Sequence, residues 1–367
     1  MPECKLIAAA DGFAAARRVD GLAPGHPQAR LHGHNFEVGV YAELPPDWAP
    51  FPGAEVSAFA EHLRGALAPL RHADLNTLIA RPSDGRIAGW IADALRGGGA
   101  AGRAMPLHIA LRSTRWHGVA LDRHGAVQPW RRYAFEAAHR LPRVPADHKC
   151  GRMHGHGFEV VLQTIADDRA GADEGAAIDL AWAPLARQLE HACLNELPGL
   201  ENPTSEILSS WIWERLQRTL PGLARVTVFE TASCGASFDG RDYRIWKDFT
   251  LDSAVRLRRA PPGDRRGALH GHTFRLRLVL RAPLDALLGW TLDFGDVKER
   301  FSPVFAALDH QPLQELAGLD DTDCASVAGW ILRSARARLP QLDQVELHET
   351  AGCGALLGGA GGPLLPL

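Results

Sequence analysis

An α+β fold assembled from three tandem ββααββ units is what this 367-residue sequence predicts. Two observations carry that prediction. The first is a triple recurrence: "LHGHNFEVGVYAEL" stands at 31–44, "MHGHGFEVVLQTIA" at 153–166 and "LHGHTFRLRLVLRA" at 269–282, at offsets of 122 and 116 residues. Other pieces follow each copy in the same order: "LRHADLN", "LEHACLN" and "LDHQPLQ", then "AGWIADAL", "SSWIWERL" and "AGWILRSA", then "LRSTRWHG", "VFETASCG" and "LHETAGCG". Internal repetition fixes the domain count, here three. The second observation is the switch from period-2 to helical patterning and back within one copy.

The middle copy is the most legible. "RRYAFEAAHRL" (131–141) and "HGFEVVLQTI" (156–165) alternate and read as an antiparallel strand pair. "APLARQLEHACL" (183–194) is helical. "PTSEILSSWIWERLQRTL" (203–220) is a stronger helix: Thr204 or Ser205 can cap it and Glu206 suits its positive N-terminal end. Ile207, Leu208, Trp211, Ile212 and Leu216 form its apolar face. "ARVTVFET" (224–231) and "ASFDGRDYRIW" (236–246) supply two further strands around an Asp-Gly turn. Gly- and Pro-containing joints near 119–130 and 247–249 give units at 1–127, 128–247 and 248–367. The "GGAGGPLLPL" tail (358–367) reads as disordered.

Bulk properties exclude more than they identify. A net charge of −3 and a pI near 6.6 carry no electrostatic footprint for nucleic acid. Six unpaired-looking cysteines, no secretory signal and no long apolar run predict a reduced cytoplasmic protein without a membrane partner. A unit of about 120 residues buries only a modest core, which favours packing against its neighbours.

The chemistry starts in "HKCGRMHGHGFEV" (148–160). His154 and His156 flank Gly155, and alternate residues of a strand share a face, so both imidazoles point the same way. That is half of a metal site.

The middle unit, over about 131–245, resembles the 6-pyruvoyl-tetrahydropterin synthase superfamily, and most closely its 6-carboxytetrahydropterin synthase branch. The resemblance is carried by "FEAAHRLPRVPADHKCGRMHGHGFEV", "LEHACLNELPGLENPTSEILSSWIW" and "FETASCG", with a cysteine four residues before the first His of HGH. It implies a T-fold: three four-stranded units close into a twelve-stranded antiparallel barrel with helices outside. One chain then makes a whole pseudo-trimeric barrel, and two barrels stack as a homodimer. Closure would remove the exposed sheet edges of each unit.

The resemblance also implies the site. His139 joins His154 and His156 as a three-histidine Zn²⁺ site with an open position, the pattern of a catalytic zinc; a closed structural site with Cys150 as fourth ligand is the alternative. Cys150 is implied as an acid/base group, its thiolate favoured by nearby positive charge. An Asp-His pair, reaching in from the adjacent subunit, is implied as the second acid/base group. Glu230, Glu349 and Thr204 are the implied substrate contacts, Glu230 by accepting two hydrogen bonds from a pterin ring. The implied reaction is a lyase step on 7,8-dihydroneopterin triphosphate in the queuosine/7-deazapurine pathway. A different cleavage of the same substrate and a silent pterin-binding scaffold are the alternatives.

The copies depart from that pattern in different ways. In the first, Arg17 stands at the third histidine, Gln28 at the cysteine, Ser113 at the glutamate, and Arg71 precedes His72, leaving His32 and His34 as relics or hydrogen-bonded structural histidines. In the third, Val255 and Arg266 replace the zinc histidine and the cysteine, while Asp309-His310 and Glu349 are kept. The middle copy reads Glu190-His191 instead of Asp-His. Twelve residues separate Asp179 from His191, against 17 from Asp293 to His310, which predicts a shortened first helix and a displaced pair. One metal site is therefore expected, with His191 and His310 as rival acid/base groups.

Overall fold

The computed structural model describes residues 4–22, 24–97, 105–166, 175–285, 287–359 and 362–364. Each unit opens with a long strand pair: β1 (Cys4–Arg17) with β2 (His32–Ala42), β5 (Val127–His139) with β6 (His154–Thr164), and β10 (Tyr243–Val255) with β11 (His270–Arg281). All three pairs are antiparallel, and their registers place Arg17 opposite His32, His139 opposite His154 and Val255 opposite His270. The strand ends that matter for chemistry are therefore equivalent positions. Two helices follow each pair: α1 (Glu55–Leu67) and α2 (Asp84–Arg96), α3 (Ala176–Leu189) and α4 (Ser205–Leu216), α5 (Phe294–Ala306) and α6 (Cys324–Arg336). Short hairpins close the units: β3 (Leu107–Thr114) and β4 (His117–Leu121), β8 (Leu223–Thr231) and β9 (Cys234–Phe238), β12 (Leu342–Thr350) and β13 (Cys353–Gly358). A two-residue strand, β7 (Ala192–Cys193), adds a parallel pairing to β5.

Closure comes from three pairings between units: β4 with β5, β9 with β10 and β13 with β1. Twelve strands thereby form the expected antiparallel barrel, with no free edge where one unit meets the next. Helices cover the outer face, whose apolar side chains bury against them in one cluster for the middle unit and a continuous one for the outer two. The opposite face mixes ionic and hydroxyl groups with a small apolar cluster of Trp246, Val279 and Leu364. Glu346 lies between core residues Val345 and Leu347, Arg277 between Leu276 and Leu278, and Tyr41 between Val40 and Ala42, so all three point into the lumen. There the Tyr41 hydroxyl donates to Glu346, and Arg277 pairs with Asp248 through two bonds of 2.7 and 2.8 Å.

Three expectations about local structure are corrected. Residues 236–246 are not one strand: β9 ends at Phe238, Asp239–Asp242 turn, and β10 begins at Tyr243. The Asp-Gly turn is thus the joint between the second and third units, and 247–249 lies inside β10. The first helix of the middle unit is not shortened either. α3 begins three residues before Asp179, whereas Asp293 caps α5 from outside, so the missing residues come from the helix entry and exit. His191 consequently keeps the geometry of its counterparts: φ is 55°, against 58° at His72 and 57° at His310, and its N–H donates 2.7 Å to Glu136 O as His310 N–H does to Asp252 O at 2.6 Å. Finally, the described part of the tail is packed. Leu364 is 2% exposed against Trp246 and Val279, and Arg225 Nη1 donates 2.7 Å to its carbonyl. Residues 360–361 and 365–367 lie outside the described residues.

One glycine is required by this architecture. A Cβ on Gly235 would sit 2.1 Å from Val228 O and 2.5 Å from the Trp246 ring, so the β8–β9 hairpin closes only without a side chain there.

Candidate active site

The top of β5 and the start of β6 bring His139, His154 and His156 together, with one ligand atom of each within 4.8 Å of the others. Their surroundings suit a metal. His154 and His156 direct Nδ1 at backbone carbonyls, Arg152 O at 2.8 Å and Gly157 O at 2.9 Å, which commits the proton there and leaves Nε2 as a lone pair. His139 Nε2 lies 3.2 Å from His156 Nε2. Burial, reinforced by the two neighbouring imidazoles, lowers the His139 pKa to about 4, so this ring is neutral at physiological pH. Three imidazole nitrogens converging in this way fit a divalent ion with an open coordination position. Cys150 is not within the group, which favours the open site over the closed four-ligand alternative.

Cys150 stands beside the histidines on a short 3₁₀ turn, Lys149–Gly151. His148 caps that turn by accepting the Cys150 N–H at Nδ1, 3.2 Å, and Leu141 N–H donates 2.7 Å to the Cys150 carbonyl. The side chains around it do not favour the expected thiolate: burial, then Glu230, push the thiol up, and Lys149 opposes them. Glu230, at the end of β8, has its carboxyl raised by burial and pulled back by His156 and His154. No hydrogen bond among the described residues occupies its carboxylate, so it can accept from a ligand. In the third unit Glu349 already accepts from the buried Cys324 thiol at 3.3 Å.

The histidines, Cys150 and Glu230 open on one cavity of 750 Å³ whose far wall belongs to the third unit: Lys247, Trp290, Asp293, Phe294 and Lys298 line it. The site is therefore composite. A His–Asp pair spans the boundary, His148 Nε2 lying 3.5 Å from Asp293 Oδ2. Since His148 Nδ1 accepts a backbone proton, its own proton is on Nε2 and faces that carboxylate. Asp293 meanwhile caps α5 through Oδ1, accepting from Gly295 N at 2.7 Å and Asp296 N at 3.3 Å.

The wall is fixed by docking contacts around α4. Thr204 caps the helix, accepting Ile207 N–H at 3.2 Å, and donates its hydroxyl to Gly289 O at 2.5 Å. Its proton and one lone pair are thereby used at the boundary, and its second lone pair is left at the cavity it lines. Asn202 Nδ2 donates 2.8 Å to Leu288 O, and buried Glu206 accepts from Thr291 N–H at 2.8 Å and from its hydroxyl at 3.0 Å. Burial lifts Glu206 to about 7 in spite of those donors. Sequence reading found Glu206 as a helix-start residue but could not see its partner, which lies 85 positions away. His148 and Asp293 were missed for the same reason, although "HKC" and "DFG" are the local signals that mark them.

The two candidate acid/base pairs lie outside the lining of this cavity. Asp309 accepts Asp252 N–H at 3.0 Å and pairs with His310 Nδ1 at 2.9 Å, so the pair is tied to β10, the strand that carries Lys247 into the cavity. The bond from Asp309 holds the His310 imidazolium up, while the Asp252 N–H and then His310 hold the Asp309 carboxyl down. His191 pairs with Glu190 at 3.2 Å on the middle unit's own β5.

At the equivalent place in the first unit an arginine fills the space a metal would take. Arg17 is 1% exposed and donates 2.6 Å to Asp84 Oδ1 and 3.0 Å to Pro82 O, with Nη2 3.5 Å from His34 Nε2. Ser113, at the glutamate position, donates 2.7 Å to the other Asp84 oxygen. Burial, then Arg17, push His34 down to about 4, so it faces the guanidinium as a neutral acceptor. His32 and His34 are structural here. Burial raises the Asp84 carboxyl, but Arg17, Ser113 and His117 outweigh it and the net shift is downward. Its contribution to stability is thus present above the ordinary carboxylate range and lost as pH falls through the depressed folded value. Arg17→Met should leave Asp84 buried without a countercharge and cost about 3–5 kcal/mol in a denaturant melt. A melt unchanged from the parent would show the pair to be neutral.

Among the described residues no helix is long and apolar enough to cross a membrane. A family model described as 6-pyruvoyl tetrahydropterin synthase matches residues 129–241 and again 244–359, which are the second and third units. A 6-carboxy-5,6,7,8-tetrahydropterin synthase from Synechocystis sp. is 37% identical over 119 residues, 30% of this chain and 90% of that protein. A dihydroneopterin monophosphate aldolase from Pyrococcus furiosus is 26% identical over 112 residues, 29% of this chain and 93% of that protein. The solved 6-pyruvoyl tetrahydropterin synthase of Caenorhabditis elegans aligns at 20% identity and a TM-score of 0.29, over 32% of this chain and 95% of that one. With two matches spanning well over half of its length, the chain belongs to the 6-pyruvoyl tetrahydropterin synthase family.

Proposed function

We propose that this protein is a zinc-dependent lyase with one active site per chain. It converts 7,8-dihydroneopterin triphosphate and one water to 6-carboxy-5,6,7,8-tetrahydropterin, acetaldehyde and triphosphate, in the queuosine/7-deazapurine pathway. The observation that carries this reading is that His139, His154 and His156 open on the same cavity as Cys150 and Glu230. Its 37% identity to the Synechocystis enzyme supports the choice among pterin reactions. The alternative, a different side-chain cleavage of a related substrate, draws on the aldolase relative.

In this reading Zn²⁺, when bound, supplies Lewis-acid polarisation of the substrate side-chain oxygens. The protein's residues do the rest. Glu230 accepts two ring hydrogen bonds and fixes the heterocycle; Cys150 moves protons on the side chain; Trp290 and Leu292 supply the apolar part of the wall that confines it. The hydrogen bond to His148 and the contact to Asp293 hold the turn that aims Cys150. The second acid/base role is assigned to His310, oriented by Asp309 on the third unit; because the pair lies outside the cavity lining, the assignment requires the bound side chain to extend to it. His310→Ala should then lower turnover sharply at unchanged metal content, and His191→Ala should do much less. The reverse ranking returns the role to His191. Two barrels stacking as a homodimer and a cytoplasmic setting complete the proposal.

The deciding experiment is incubation of the metal-loaded protein with 7,8-dihydroneopterin triphosphate and identification of the products. The carboxytetrahydropterin with acetaldehyde is the expected pair. A pyruvoyl product or a hydroxymethyl pterin would move the assignment to the alternative, and no conversion would support a binding scaffold.

A further inference from the structure

The lumen has a second cavity, of 400 Å³, at the end of the barrel away from the three histidines. Gln128, one of its lining residues, stands near the start of β5 and His139 at the end of that strand, so about 35 Å of extended chain separates them. The two cavities share no lining residue. Two arginines look into this one. Arg225 precedes the core residue Val226 on β8 and Arg244 precedes Ile245 on β10, so alternation turns both side chains to the lumen. Counting back from Ser113, Glu230 and Glu349, the place of Arg225 is taken by His108 in the first unit and Gln344 in the third. Counting back from Arg17, His139 and Val255, the place of Arg244 is taken by Leu6 and Gln128. Two guanidinium groups at this depth are therefore peculiar to the strands where the second unit meets the third.

Their charge is poorly compensated. Among the described residues Arg225 forms no ion pair, and Arg244 Nε lies 3.7 Å from Asp343 Oδ2, too far for a hydrogen bond. That buried Nε–H has no acceptor. Asp239, and Asp122 in the cavity wall, each commit Oδ1 to two backbone N–H groups of their own turns. Burial, then Arg244, lower the Arg225 pKa to about 10, with Asp239 opposing them. At the lip the β4–β5 turn adds Arg123, and burial keeps the His108 ring neutral as a further polar group. What Arg225 does hold is an oxygen: the Leu364 carbonyl accepts from its Nη1 at 2.7 Å. That bond uses one of the five N–H groups of the guanidinium and brings no negative charge.

We propose that Arg225 and Arg244 form a binding site for a phosphate group at this far end of the lumen, overlapping the seat of the Leu364 carbonyl. The ligand is inorganic phosphate or the phosphate of a small ester, entering from the mouth that the tail partly covers. Two planar forks on neighbouring strands suit a tetrahedral dianion, which offers oxygens to both, better than a carboxylate, whose single charge answers one. The site requires nothing of the pterin reaction at the other end of the barrel.

The test is calorimetric titration of the metal-loaded protein with orthophosphate and, in separate runs, glycerol 3-phosphate and acetate. Orthophosphate should bind about once per chain and at least about tenfold more tightly than acetate. Glycerol 3-phosphate should compete with it, and the tighter of the two identifies the source of the phosphate group. Each of Arg225→Gln and Arg244→Gln should weaken orthophosphate by about tenfold or more, as expected for a lost charge-assisted pair. A thermal melt of each variant without ligand checks the fold. Arg123→Gln, on an exposed turn, probes the same site without touching the core and should weaken binding by about threefold. Leu364→Ala loosens the apolar anchor of the tail and should tighten binding by about threefold, because the carbonyl then competes less well for Arg225. Binding undiminished in both Arg225→Gln and Arg244→Gln belongs to the metal or the active-site cavity and overturns the proposal. Equal affinity for acetate overturns it too, as does a Leu364→Ala protein that binds phosphate no better than the parent.

Discussion

Cys150→Ala should retain the metal and lose turnover by about 10²–10⁴-fold, the range for a removed acid/base group. The thiol stands outside the histidine trio, so its loss takes no ligand away. The turn that presents it is held by main-chain bonds at Leu141 N–H and Cys150 N–H, which survive truncation of the side chain. The electrostatics define the role. Burial and Glu230 favour the protonated thiol, so Cys150 begins as a proton donor. Turnover and elemental analysis on one preparation separate the possibilities. Loss of metal along with activity would place Cys150 among the ligands and make the centre a closed structural site.

His139→Ala should abolish both metal binding and turnover. Its side chain is 2% exposed and is the member of the trio supplied by β5. The protein already contains two natural versions of the change. Where Arg17 replaces this histidine, His34 turns its lone pair to a guanidinium; where Val255 replaces it, the space is filled by the apolar core. Neither unit retains a cluster of three ligands among the described residues. Truncation in a buried position costs stability as well, so a thermal melt belongs beside the metal assay. A folded His139→Ala protein that still holds one metal would mean that His154 and His156 recruit another ligand, and the three-histidine assignment would fall.

Much of this was legible in the sequence because the informative patterns are local. Alternation in 131–141 and 156–165 fixed a strand pair whose register puts His139 opposite His154, and the cap at Thr204 and the apolar stripe from Leu208 to Leu216 marked α4. The failures have physical causes. Residues 236–246 read as one strand because Asp239-Gly240 sits between two runs of good strand formers, and nothing local says which side of the turn ends a unit. The count from Asp179 to His191 suggested a shorter helix because spacing cannot show that a helix starts earlier relative to its landmark aspartate. Leu364 packs on Trp246 inside a barrel that exists only after all three units close. The bond from Thr204 to Gly289 and the His148–Asp293 pair both cross a unit boundary. Contacts 85 or 145 positions apart leave no periodic trace. The replacement of a metal by Arg17 was half legible: the sequence shows that arginine cannot ligate, but only the fold brings Asp84 and Ser113 to receive its charge.

The central claim is that one chain folds three related units into a barrel with a single metal centre, in the middle unit. Elemental analysis of protein saturated with zinc and freed of loosely bound ions tests it most directly. The account predicts one zinc per chain, lost on His139→Ala and unaffected by Val255→Ala. Three zinc ions per chain would contradict it, because the outer units would then bind metal with Arg17 and Val255 where a ligand is required; none would contradict it equally.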